Sequence, residues 1–273
     1  MTVIYNLYRK IFARLLFRKF NIFLYNCALR GLGVWNYENL NISGEASFVK
    51  QYLKDFAKRK SEFIVFDVGA NQGGYIDLIL DNIKNAKCFA FEPHPKTFKR
   101  LQSNLADKAA VKTFNFALSS EAGKMKLYDY DSFDGSAHAS LSADIFETVH
   151  NSKVVSHEVD VSTIDLFSQE NNIDHIDFLK IDVEGYELDV LNGAIGLINS
   201  DKVDFIQFEV TQLNSTTRVF FKDFWDVLSK KYKIYRLLPT SMLSIRKYDP
   251  TMNEIFGYQN YVAMRKERVV DGI

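Results

Sequence analysis

The sequence predicts an α/β domain with a mostly parallel sheet and helices on both faces, preceded by an N-terminal helical extension. Three observations carry this. From residue 60 onward, short β-branched and aromatic runs alternate with segments of helical periodicity; this is the rhythm of a parallel sheet covered on both sides. Several runs are apolar almost throughout and close on a carboxylate, as FIVFDV at 63–68 and AKCFAFE at 86–92 do. Residues 1–37, in contrast, hold six basic residues and no acid.

The extension, residues 1–60, begins with large apolar groups at three- and four-residue steps: Ile4, Tyr8, Ile11, Phe12, Leu15, Leu16, Phe20 and Phe23. That is helical spacing. Lys10, Arg14 and Arg18 follow one another at four-residue steps on a different face. No apolar run approaches the ~20 residues of a membrane span. Scattered charges and the lack of a small-residue cleavage site argue against a secretory signal. The favoured expectation is a helix packed on the α/β domain or on a second copy of the chain. The alternative is peripheral contact of residues 1–30 with an anionic membrane surface.

The α/β domain is expected over 61–273. Strands are predicted at 63–68, 86–92, 111–118, 176–182 and 203–210. The intervening helices are placed at 75–83, 96–105, 163–171, 186–198 and 220–231. Runs at 233–238 and 258–264 are expected to close the sheet as an antiparallel pair. Residues 119–162, rich in Ser, Asp and Gly, interrupt the rhythm as a cap-like insertion, with a hairpin near Gly123 and an extended run at 154–159.

Composition narrows the function classes. Of 273 residues, 47% are apolar and 25% charged, which excludes disorder as a whole-chain state. Lys plus Arg and Asp plus Glu both count 34, so a polyanion such as nucleic acid is not the expected partner. Six of the basic residues lie in the extension, leaving 28 against 34 acidic beyond it, a net of −6. The two cysteines, Cys27 and Cys88, cannot build a disulfide framework and fit reduced thiols in the cytoplasm.

In a parallel α/β sheet a ligand sits beyond the carboxyl ends of the strands. After the first strand comes Asp67-Val68-Gly69-Ala70-Asn71-Gln72-Gly73-Gly74. The spacing D-x-G-x-x-x-G departs from G-x-G-x-x-G, which weakens a nicotinamide-dinucleotide oxidoreductase, and no G-K-[ST] is present to form a P-loop. Glu92 ends the second strand, 19 residues beyond Gly73, about where an acid that hydrogen-bonds ribose belongs. Asp182 ends the fourth strand and Glu209 lies near the end of the fifth. Glu184 and Glu187 open the next helix, where acids complement the dipole.

DVGANQGGY, FEPHP, NFALSS, VDVSTIDLF and LKIDVEGYELDVLNGA, with the lead-in GLGVWNYENLNISGE, together resemble the FkbM-type S-adenosylmethionine-dependent methyltransferases over roughly residues 30–265. The resemblance implies a class I methyltransferase (Rossmann-like) fold, S-adenosylmethionine as methyl donor, and O-methylation of a sugar or another small hydroxylated acceptor in cell-surface glycan or glycolipid biosynthesis. By position, Asp67, Gly69, Ala70, Asn71 and Gly73 would cradle the methionine end. Glu92, with Pro93 beside it, would hold the ribose hydroxyls, and Ala117 and Leu118 would lie by the adenine. Asp182 and Val183 would border the methionine amine and the transferring methyl.

An alcohol acceptor needs a base, and a positioned one typically gives 10²–10⁴-fold. The candidate catalytic residues are Asp182, Glu184 and His138, the last in the insertion; Glu209, His94 and His157 are further candidate bases. Asp182 with Glu209 could chelate a divalent metal, but no third ligand stands out, and no metal site is assigned. The alternatives to the methyltransferase are an adaptor that binds S-adenosylmethionine or docks on a membrane without catalysis, and the oxidoreductase. Homo-oligomerisation is an open expectation.

Overall fold

The computed structural model describes residues 2–130 and 154–268. Its strands in chain order are β1 (Phe63–Val68), β2 (Ala86–Phe91), β3 (Val111–Phe114), β4 (Ala117–Leu118), β5 (Gly123–Tyr130), β6 (Val154–Ser162), β7 (Ile176–Ile181), β8 (Val203–Val210), β9 (Tyr232–Leu238), β10 (Ser241–Ile245) and β11 (Gln259–Arg265). Eight of them form one sheet in the order β10-β9-β11-β8-β7-β1-β2-β3. The block β8-β7-β1-β2-β3 is parallel, and β11 enters antiparallel between β8 and β9. This is the expected mostly parallel α/β architecture.

The apolar runs read as they do because both faces of the sheet are covered. Successive side chains of a strand point to opposite faces. Val65 accordingly packs with Cys88, Ala90 and Phe178, and its neighbour Phe66 packs with Phe89, Phe91 and Phe167 on the other side. Local capping starts the helices. His94 Nδ1 accepts from the amides of Lys96 and Thr97 ahead of the helix Pro95–Asn104, whose proline occupies the first turn. Thr163 Oγ1 accepts from Leu166 N at 3.0 Å to open the helix Ile164–Glu170.

The structure departs from the sequence pattern at several places. The run at 111–118 is two strands, because Asn115 Nδ2 donates to the carbonyls of Glu92 and Pro93 and turns the chain out of the large sheet. Beyond that turn, β4, β5 and β6 form a second, three-stranded sheet. Gly123 therefore begins a long strand paired with β6 and is not a hairpin tip. The helix expected at 186–198 is split into Glu187–Asn192 and Ile195–Asn199. At the break, Gly193 packs so closely on the Ser119 carbonyl that no Cβ fits, and the Asp165 carboxylate accepts from Gly196 N and Leu197 N to restart the helix.

A continuous helical run, Glu45–Phe48, Val49–Leu53 and Lys54–Ala57, lies within the segment read as extension. It buries Phe48, Val49, Leu53 and Ala57 against Phe63, Val65 and Phe205. The two helices ahead of it, Thr2–Phe12 and Arg18–Gly31, behave differently: the first buries nothing and the second only Leu29. Of the favoured expectation, packing on the α/β domain is thus corrected to a contact at Leu29, and packing on a second copy of the chain stays open. None of the described helices is long and apolar enough to cross a membrane. Both cysteines are free, Cys27 exposed and Cys88 buried.

Candidate functional site

The order of the sheet reverses beside β1: β2 and β3 run off to one side, β7 and β8 to the other. The loops that follow β1 and β7 therefore diverge and open a crevice at the carboxyl edge. The register aligns this edge, with Val68 opposite both Phe91 and Ile181, and Ile181 opposite Phe208. Asp67, Glu92, Asp182 and Glu209 are brought together along it, as their positions at strand ends predict.

The loop after β1 takes left-handed backbone at Gly69 (φ +84°), Asn71 (φ +48°) and Gly73 (φ +93°). Gly69 N and Ala70 N donate to Phe91 O at 3.0 and 2.9 Å, and Asp182 N donates to Val68 O at 2.9 Å, so the loop is tied to the ends of both neighbouring strands. A Cβ on Gly69 would collide with the Asp182 carbonyl oxygen. This loop in turn orients Glu92. Asn71 N donates to its Oε2 at 3.0 Å and His94 N to its Oε1 at 2.8 Å. Burial pushes the Glu92 carboxyl up to about 7, against the pull of those two amides.

Lys180, one residue before the end of β7, pairs in register with Asp67. Its Nζ lies 3.4 Å from Asp67 and 3.1 Å from Asp182, and 5.0 Å from the centre of the Tyr75 ring. Burial works against this ammonium, but the charges of Asp182, Asp67 and Glu45 outweigh it and hold its pKa above the usual lysine range. Asp67 is fully buried, and burial raises its pKa although Lys180 opposes the shift. Neither of its carboxylate oxygens has a hydrogen-bond partner of normal geometry.

Glu45 reaches the same place from the N-terminal segment. Its carboxylate accepts from Ser43 Oγ at 2.6 Å and from Gln207 Nε2 at 2.8 Å. Gln207 accepts from Tyr75 Oη at 2.7 Å and donates to Asn260 Oδ1 at 3.1 Å, and Asn260 donates to Tyr258 Oη at 2.9 Å. Glu209, 7% exposed, has its pKa raised first by burial and then by the charges of Asp182, Glu184, Glu187 and Glu45. One lysine thus faces several carboxylates.

Lys180, Glu45 and Gln207 escaped the sequence reading. A lone lysine inside the otherwise apolar run IDFLKI was a usable signal for the first, because a buried cation requires an acid partner. Nothing local marks the other two.

Glu184 is half-buried in left-handed backbone (φ +55°), followed by Gly185 (φ +102°). Glu187 does more than complement a dipole: its Oε1 accepts from Val183 N and Gly185 N, both at 3.1 Å, and so shapes the loop after Asp182. Burial pushes its carboxyl up to about 7. Val183 and Pro93 are half-buried beside the edge. The side chains of Ala117 and Leu118 are buried in two separate clusters, so they offer a ligand mainly their backbone.

His138 lies outside the described residues. His94, a candidate base, is corrected: its Nδ1 is the acceptor that caps a helix, and its Nε2 lies 3.6 Å from buried Asp129. His157 stacks edge-on against His94 at 4.8 Å. Among the described residues, the one close grouping of three metal-capable side chains is His175, Asp177 and Asp204. It sits at the starts of β7 and β8, and Lys60, Arg265 and Arg268 already neutralise it. Asp182 and Glu209 are not part of it.

Residues 67–237 match the model of the family described as the methyltransferase FkbM domain. The chain is similar to the hexuronic acid methyltransferase AglP of Haloferax volcanii, 29% identical over 181 residues, which are 65% of this chain and 66% of that protein. It is also similar to the 2-O-methyltransferase NoeI of Sinorhizobium fredii, 22% identical over 163 residues, covering 56% of this chain and 66% of that protein. Methyltransferase 1 of Beauveria bassiana is 26% identical over 172 residues, covering 58% and 68%. The chain spans about two thirds of the length of these relatives.

Proposed function

The chain belongs to the FkbM methyltransferase family, and from that premise we propose that it transfers a methyl group from S-adenosylmethionine to a hydroxyl of a sugar. The observation that carries the proposal is the carboxyl edge of β1, β2, β7 and β8, where a glycine loop, Glu92 and Asp182 meet among more carboxyl groups than cations. The names of AglP and NoeI, a hexuronic acid methyltransferase and a 2-O-methyltransferase, support the sugar acceptor. A groove lined by Ser119, Ser120, Tyr186 and Asp189 at the base of the insertion presents hydroxyl and carboxylate groups suited to a glycan.

The residues fit the proposed donor chemically. Glu45, Asp67 and Asp182 gather around Lys180, Glu209 lies within the charge field of Asp182 and Glu45, and Asp67 keeps two buried oxygens without hydrogen bonds. Such an edge favours a ligand that carries ammonium and sulfonium cations. S-Adenosylmethionine, when bound, supplies an electrophilic methyl on its sulfonium. The loop Gly69–Gly73 and Val183 would hold its methionine end, and the pre-oriented Glu92 would accept from its ribose hydroxyls. Asp182, whose side chain is 37% exposed, would take the proton of the acceptor hydroxyl, and Lys180 holds that carboxylate in place. Fixing acceptor and donor in line supplies much of the remaining rate.

The test is product formation. The full chain is incubated with S-adenosylmethionine and a panel of hexuronic acids and neutral hexoses, and the products are weighed by mass spectrometry. One added methyl on a sugar, with S-adenosylhomocysteine released in equal amount, is the expected result. Binding of the donor with no product on any sugar would leave the adaptor as the better description.

Glu92 makes the binding pH-dependent. Its folded pKa of about 7 lies above the unfolded value, so in the free protein it is protonated below about 7 and ionised above. Ribose hydroxyls donate to the ionised form. Affinity for the donor is therefore expected to fall by up to about tenfold for each pH unit below neutrality. Glu92→Gln should flatten that dependence and weaken binding by about 1–3 kcal/mol at high pH. Calorimetry across the neutral range reads both; an unchanged slope in the variant would assign the dependence to another group.

A further inference from the structure

We propose that the N-terminal helical pair is a membrane-docking hairpin whose tip inserts into an anionic phospholipid surface. The helices Thr2–Phe12 and Arg18–Gly31 are joined by a turn in which Leu15 and Leu16 are 92% and 86% exposed. Exposed single leucines are ordinary, but here much of the apolar surface is open: Val3, Ile4, Leu7, Ile22 and Phe23 are exposed as well. The hairpin nevertheless has a defined shape. Asn21 Nδ2 donates to Phe12 O at 2.9 Å, and the Phe12 ring lies 5.0 Å from Phe17 and 5.7 Å from Phe20. Its apolar surface is thus presented by a preformed element, anchored to the domain at Leu29.

The charges say what covers that surface. Arg9, Lys10, Arg14, Arg18 and Lys19 flank the two leucines on both sides of the turn. Among the described residues none of the five has an acidic partner; Arg9 turns to Asn6 and Arg14 to the Lys10 carbonyl. Arg18 and Lys19 stand in the first turn of the second helix, which contains no acid. Cations there oppose the helix dipole. The placement is locally unfavourable and becomes favourable only beside an external anion. A second copy docked symmetrically on the same face would bring five like charges against five. A bilayer rich in anionic lipid supplies the missing charge and takes the leucines into its interfacial layer. The inference is independent of the methyl-transfer proposal, since its readout is binding alone.

The experiment is co-sedimentation of the full chain with vesicles of phosphatidylcholine, with and without phosphatidylglycerol. Pelleting is expected with phosphatidylglycerol only, and high salt should reverse it. The variant Leu15→Glu/Leu16→Glu should lose binding, and Lys10→Gln/Arg14→Gln/Arg18→Gln should lower the partition coefficient at least about tenfold. Both variants should keep the wild-type thermal melting curve, because these side chains are exposed. Failure to pellet on anionic vesicles would overturn the proposal, as would equal binding to neutral ones. A dimer in light scattering that Leu15→Glu/Leu16→Glu dissolves, with no vesicle binding, would assign the face to a second copy.

Discussion

Asp182→Asn is expected to lower turnover about 10²–10⁴-fold, the range lost when a positioned base is removed. The substitution keeps the shape of the side chain and its place at the end of β7. It removes one of the anions beside Lys180, but Asp67, 3.4 Å away, and Glu45 remain to balance that cation. The fold should therefore survive, and a melting curve within a few degrees of wild type is the expected control. The decisive measurement separates kcat from KM: loss of the base falls on kcat. A variant that retains more than half of the wild-type kcat would move the assignment to His138 or to Glu209, the next carboxylate along the edge.

Gly69→Ala should act through the backbone, and more broadly. The added methyl would overlap the carbonyl of Asp182, and the position demands φ +84°, which alanine adopts only under strain. Left-handed strain and forced repacking together cost roughly 2–5 kcal/mol. The same displacement would move Asp182 and its loop, so donor binding should disappear along with stability. Gly74 provides the control. It opens the helix Gly74–Asn82, it lacks a positive φ, and a Cβ there meets nothing within 4 Å. Gly74→Ala should leave stability unchanged or raise it by about 0.4–1 kcal/mol. Urea midpoints of the two variants give the comparison directly. Equal effects at both positions would mean that the contact with Asp182 does not govern the loop.

The edge of the sheet was largely legible because its information is local. A fully buried strand must be apolar on both faces, so FIVFDV, AKCFAF, IDFLKI and VDFIQFEV announce themselves. Carboxylates at the ends of such strands have nowhere to go but the mouth of the sheet. The glycines after β1 mark the tight turn that the structure confirms in φ. Family motifs were legible for the same reason: they are these strand ends, read as short words.

Elements that answer to distant partners were not legible. The run at 111–118 has an unbroken β pattern, yet Asn115 is drawn to the carbonyls of Glu92 and Pro93 and splits it. The helix at 186–198 keeps its periodicity across Gly193, yet the Ser119 backbone leaves room there only for glycine. His94 has the composition of a base and the geometry of a helix cap.

The sequence by itself determined the parallel sheet, the glycine loop, the acids of the edge and the basic, apolar character of the first 37 residues. All of these follow from periodicity, composition and spacing along the chain. Only the tertiary structure decided which groups share the site and which surfaces stay open. Glu45 meets Gln207 across 162 residues, and Lys180 serves Asp67 and Asp182 because two strands pair in one register. The helical pair at the N-terminus reads as amphipathic either way, and its exposure depends on whether the domain offers a complementary apolar surface. Residues 45–57 do find such a surface, and their burial of Phe48, Val49 and Leu53 is a long-range fact that no local pattern contains.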